Sequence, residues 1–139
     1  MINELTIGIS QCLDAHFTDI EIFIDEMKQG IVAPCFFIQL LNAGQEQIVG
    51  NRYYREQSFD VHYFPKNSTS ELNDMSDQLM NALEYIEVEG GLVRGTKMHS
   101  EVVDGVLHFF VDFNLVITKQ KHDEFMEKLK IKERVKTIG

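Results

Sequence analysis

The 139-residue chain is 44% hydrophobic and 25% charged, and 22 acidic against 13 basic residues give a formal charge of −9. That length suits one domain with one core, and the acidic balance argues against wrapping nucleic acid, because phosphate contacts need clustered Lys and Arg. No window reaches the roughly 18 apolar residues of a membrane span, and Met-Ile-Asn-Glu lacks the basic and apolar regions of a secretory signal, so the expected setting is the cytoplasm with no membrane partner.

In chain order, Ile2, Leu5, Ile9 and Leu13 recur at helical spacing, which predicts an amphipathic helix of about four turns. Ile20, Ile22 and Ile24 then alternate as in a strand. Pro34 opens Cys-Phe-Phe-Ile-Gln-Leu-Leu, apolar on both faces and expected inside a sheet or under a partner. Asn42-Ala43-Gly44 is a turn or bulge signal, with pairing resuming through Gln45–Val49. A long strand follows from Tyr53 to Phe64, with Phe59, Val61 and Tyr63 on one face and Ser58, Asp60 and His62 on the other. Ser68 and Glu71 suggest a capping box. Leu72, Met75, Leu79, Leu83 and Ile86 give the next helix its stripe, to about Tyr85.

Asp104-Gly105 is a type I′ hairpin signal, since both central residues take positive φ. A two-residue loop places Lys97 opposite Asp112 and Glu101 opposite His108, with Met98, Val102, Leu107, Phe109, Val111 and Phe113 on the other face. From about His122 to Lys136 the chain reads as a helix with a thin apolar edge of Phe125, Met126 and Leu129. The expected fold is α+β: a mainly antiparallel sheet of four to five strands, two helices on one face and a C-terminal helix. The only boundary falls near Thr118, giving a core at residues 1–118 and a basic tail at 119–139.

Charge divides at that boundary. Residues 1–118 hold eighteen acidic and six basic side chains, and residues 119–139 hold four and seven. An acidic body with a cationic tail suggests docking of the tail on the body of another subunit. Lys128, Lys130, Lys132 and Arg134, with Phe125 and Leu129, are the candidate interface residues. Asp123, Glu124, Glu127 and Glu133 interleave with the tail cations, as on an ion-paired helix face rather than a nucleic-acid arm.

No catalytic constellation stands out. Gly90–Lys97 lacks the order of a phosphate loop and runs into a strand rather than a helix. Asp60 and His62, with His108 and Asp112, could share a metal if their strands adjoined on one face. A solvated polar face gives the same pattern and is the preferred reading, so no metal or cofactor is expected. No GxSxG elbow is present. Cys12 and Cys35 lack metal-ligand spacing and read as free thiols in apolar surroundings, which raise a thiol pKa. The expectation is a protein that is not an enzyme. The Phe36-Phe37 and Tyr53-Tyr54 pairs suit either the core or an interface.

Three stretches, Pro34–Ile38, Arg52–Pro65 and Asp104–Phe113, occur in an order and at a spacing that resemble the tail terminator proteins of tailed phages and phage-like elements of Gram-positive bacteria. The resemblance covers most of the chain and rests on structural rather than catalytic motifs. It implies a small α/β domain that forms a ring, usually a hexamer, at the head-proximal end of the tail tube. Such a ring stops polymerisation of the tube and offers a surface to head-completion or connector proteins. The implied partners are further copies of the chain, the tube protein and those head proteins, and the implied place is the virion tail, assembled in the bacterial cytoplasm. The alternatives are another head–tail joining or tail-completion protein and, from a different class, a small ligand-binding or hydrolytic α+β domain.

Overall fold

The computed structural model describes residues 2–24, 30, 32–67 and 69–119. Its elements run α1 (Ile2–His16), β1 (Glu21–Ile24), β2 (Cys35–Val49), β3 (Arg52–Phe64), α2 (Ser70–Ala82), β4 (Tyr85–Val88), β5 (Gly91–Val103) and β6 (Val106–Thr118). The backbone groups into two compact units, Met1–Gly44 with Glu56–Asn114, and Gln45–Arg55 with Leu115–Gly139.

In the first unit the strands are ordered β1-β2-β3-β6-β5-β4. The sheet has six strands rather than four or five and is mixed, with β4–β5 and β5–β6 paired antiparallel. β1 runs parallel to β2, with Glu21 beside Cys35 and Ile24 beside Ile38. The core face carries Phe36, Ile38, Phe59, Val61, Tyr63, Leu107, Phe109, Val111 and Phe113, all buried. Their alternation along each strand is the period-two pattern of a sheet with one covered face. Both helices cover it with the stripes read from sequence: Leu5, Ile9 and Leu13 of α1, and Leu72, Met75 and Leu79 of α2, are buried. Each such side chain stabilises the fold by about 1.5–3 kcal/mol through burial. Phe17, just past α1, packs its ring 5.3 Å from Phe36. Ser76 of α2 shares a 2.8 Å hydrogen bond with Ser100 of β5.

Gly8 lets α1 approach β4, for a Cβ there would stand 2.9 Å from the Glu87 carbonyl oxygen. Asp104 and Gly105 take φ of 51° and 76°, as a type I′ turn requires. Glu89 and Gly90 take 49° and 81° and close a second tight hairpin between β4 and β5.

Four local expectations are corrected. β2 continues through Asn42-Ala43-Gly44 without a turn, because pairing with its neighbour β3 outweighs weak local β propensity. α2 ends at Ala82, and Ile86 belongs to β4. The Leu83 N–H bonds the Leu79 carbonyl, and the Gly95 N–H bonds the Glu84 carbonyl at 2.8 Å, which draws the chain onto β5. The hairpin register holds from Val103 back to His99, with Glu101 opposite His108, and then shifts. Asp112 therefore faces Thr96, not Lys97. Lys97, at φ 52°, is the extra residue of that irregularity. At α2 the N-cap is Thr69 rather than Ser68, with no side-chain cap bond, and Glu71 Oε1 accepts the Asn67 N–H at 3.1 Å; Ser68 lies outside the described residues. So does the C-terminal helix expected from His122 onward.

In the second unit, Gln45–Val49 and Arg52–Arg55 flank the turn at Gly50-Asn51. Gln47 Nε2 donates to the Gly50 carbonyl at 2.6 Å, and Arg55 Nε donates to Gln45 Oε1 at 2.8 Å. The Lys119 N–H bonds the Asn51 carbonyl at 2.8 Å, and its ammonium lies 4.4 Å from the centre of the Tyr53 ring, a cation–π contact.

Candidate functional site

The open face of the first unit's sheet is not a solvated polar surface. Phe37 of β2 is buried, and Phe64 of β3 and Phe110 of β6 are half-buried. These rings frame Asp60, whose side chain is 7% exposed, with His62 at 15% and His108 at 22%. Strand alternation puts Asp60 and His62 on one face of β3, and the adjacency of β3 and β6 brings His108 beside them.

His108 Nδ1 donates to Asp60 Oδ2 at 2.9 Å. His62 Nε2 stands 3.1 Å from the same oxygen and 3.2 Å from Gln39 Oε1 of β2. The other carboxylate oxygen, Oδ1, is buried with no hydrogen-bond partner. Burial pushes the Asp60 carboxyl up, but the hydrogen bonds and charges of His62 and His108 more than offset it and hold the group below the ordinary aspartate value. The imidazoles are held by a series of ring contacts. His62 lies 4.4 Å from His108 and edge-on to Phe37 at 5.2 Å. His108 stacks beside Phe110, and Phe110 stacks on His99 at 4.7 Å. Three members of the constellation named from sequence thus meet. The fourth, Asp112, pairs with Thr96 instead. Gln39 was not foreseen, because only β2–β3 adjacency brings it to His62.

Elsewhere Tyr63 donates to Glu71 Oε2 at 3.3 Å, and burial with the Glu71 charge pushes its phenol up to about 12. Both cysteines are free, and burial pushes both thiols up. Phe36 belongs to the core, whereas Tyr53 and Tyr54 are half-buried. Gly90–Lys97 leads into β5, as expected of a hairpin rather than a phosphate loop.

Other surfaces suit partners. A cleft of about 510 Å³ runs along α1 and β1, lined by Asp14, Asp19 and Glu21 with Ser10 and Gln11. β1 is an edge strand of the first unit, with Ile24 exposed. In the second unit Ile48, Val49 and Val116 are exposed, Val49 to 72%. The interface candidates Phe125, Lys128, Leu129, Lys130, Lys132 and Arg134 lie outside the described residues. No helix among the described residues is long and apolar enough to cross a membrane.

The fold defines a small α+β domain with two helices on one side of a six-stranded mixed sheet. A family model described as phage tail terminator protein matches residues 4–124. That span covers most of the chain, which therefore belongs to the phage tail terminator family. Membership supports a structural role in the phage tail and suggests a virion component. No curated protein sequence matches the chain.

Proposed function

We propose that this protein caps the head-proximal end of the tail tube as a homo-oligomeric ring, six-membered in keeping with the family resemblance. The ring stops addition of tube subunits and presents a surface to the head-completion or connector protein. It acts by stoichiometric binding, not turnover. The observation that carries this reading is the family match across residues 4–124.

The chain's chemistry supports it. A closed ring needs a heterologous interface, in which two different patches meet. The cationic segment 119–139 and the acidic cleft along α1 and β1 are complementary patches of that kind. The β1 edge and the exposed Ile48 and Val49 offer strand and apolar surface for a neighbouring subunit or the tube, since an unpaired edge is a template for strand addition. An acidic surface also lets DNA pass a channel without sticking. The test is tube assembly in vitro. Purified chain, added in small molar amount to polymerising tube protein, arrests elongation and appears at one tube end. Unaltered tube growth, or binding to isolated connector rings but not to tube ends, overturns the reading.

A further inference from the structure

We infer that Asp60, His62 and His108 form a binding site for one divalent transition-metal ion of the zinc type on the open face of the sheet. Asp60 Oδ2, His62 Nε2 and His108 Nδ1 are the converging donors, and their ligand atoms all lie within 4.8 Å of one another.

The spacing suits coordination. An ion bonded at about 2.0–2.1 Å to nitrogen and oxygen in a tetrahedron separates its ligands by about 3.3 Å. The two histidine nitrogens already stand 2.9 and 3.1 Å from the carboxylate oxygen, so small rotations of the three side chains admit the ion. The donor chemistry selects its class. Two imidazoles and one carboxylate suit zinc, nickel, cobalt or copper, whereas magnesium and calcium prefer all-oxygen sites.

Two features point to a cation rather than to a self-contained hydrogen-bonded group. The Asp60 carboxylate is buried with Oδ1 unpartnered, so one of its oxygens is left for a further partner. Two acceptors, Asp60 Oδ2 and Gln39 Oε1, converge on the single nitrogen His62 Nε2, which can donate only one proton. With an ion on His62 Nε2 and Asp60, Gln39 becomes an outer partner or supplies a further oxygen. The ring contacts from Phe37, Phe110 and His99 fix the imidazole planes, the role that outer partners serve at metal sites. The remaining exposure of His62 and His108 leaves a coordination position to water.

The test uses the full-length chain, stripped with chelator and titrated with zinc chloride or nickel chloride. Calorimetry is expected to give one ion per chain, with a rise in thermal midpoint that chelator reverses and magnesium does not reproduce. His62→Ala and His108→Ala are each expected to weaken binding about a hundredfold or more, while Cys12→Ser leaves it unchanged. Because the alanine variants can lose fold, imidazole NMR of the wild-type chain supplies a second readout: zinc shifts the ring signals of His62 and His108 and spares His16, His99 and His122. No binding, binding that survives both histidine substitutions, or shifts confined to the other histidines overturns the inference.

Discussion

Replacing Gly95 by alanine is expected to destabilise the fold more than any other single added methyl group in β5. A Cβ at this position falls inside van der Waals contact with the Leu83 carbonyl oxygen, 2.8 Å from Met98 Cε and 3.1 Å from Val111 Cγ2. The Met98 methyl can swing away. The Leu83 carbonyl cannot, because it is backbone at the end of α2, beside the 2.8 Å bond from the Gly95 N–H to the Glu84 carbonyl. Overpacking of this kind costs about 1–3 kcal/mol, and loss of the adjoining backbone bond adds about 1 kcal/mol. The expected total is about 2–4 kcal/mol, a fall of about 10 °C in the thermal midpoint for a domain of this size. Gly91→Ala is the matched control on the same strand, since its nearest contact is the Val88 carbonyl at 3.7 Å, and it is expected to stay within about 0.5 kcal/mol of wild type. Urea unfolding followed by circular dichroism reads both, with the slope unchanged. Equal stability of the two variants would refute the packing reasoning at the α2–β5 junction.

Phe109→Ala, at a fully buried site between the helices and the sheet, is expected to cost about 3–5 kcal/mol in the same assay; a loss under 1 kcal/mol would mean that the core is not where the burial pattern puts it. A double-mutant cycle on Ser76→Ala and Ser100→Ala is expected to give a coupling of about 0.5–1.5 kcal/mol from their 2.8 Å hydrogen bond. Zero coupling would remove that link between α2 and β5. Charge reversal at Lys128, Lys130, Lys132 and Arg134 is expected to lower the oligomer mass seen by light scattering at high protein concentration while the monomer's circular dichroism is unchanged. An unaltered mass would rule out tail-to-body docking by charge.

What could be read from the sequence was local. The α1 stripe of Leu5, Ile9 and Leu13, the alternation of Phe59, Val61 and Tyr63, and the Asp104-Gly105 turn are each set by near neighbours in the chain, and the structure holds them as expected. The misses needed partners far along the chain. Ile86 continues the helical spacing of α2, yet pairing with Val93 across a tight turn takes it into a strand. Nothing around Lys97 announces a positive φ, so Asp112 was given the wrong partner. Strand β1 runs parallel to β2, an orientation that residue alternation cannot reveal.

The same limit explains the candidate site. Period-two spacing named Asp60, His62 and His108, but the polar letters of that face read as solvated. Phe37, Phe64 and Phe110 arrive from three different strands to half-bury it, and their convergence is a property of sheet order. Gln39 joins His62 for the same reason. Charge composition pointed to assembly through the division between residues 1–118 and 119–139, which is plain in the sequence itself.

The most direct measurement of the capping role is the length distribution of tails, seen by negative-stain electron microscopy, in particles made with and without this chain. Without it, tubes are expected to grow past their normal length and to stay separate from heads, and supplying the chain restores both. Tails of normal length joined to heads in its absence would contradict the proposal.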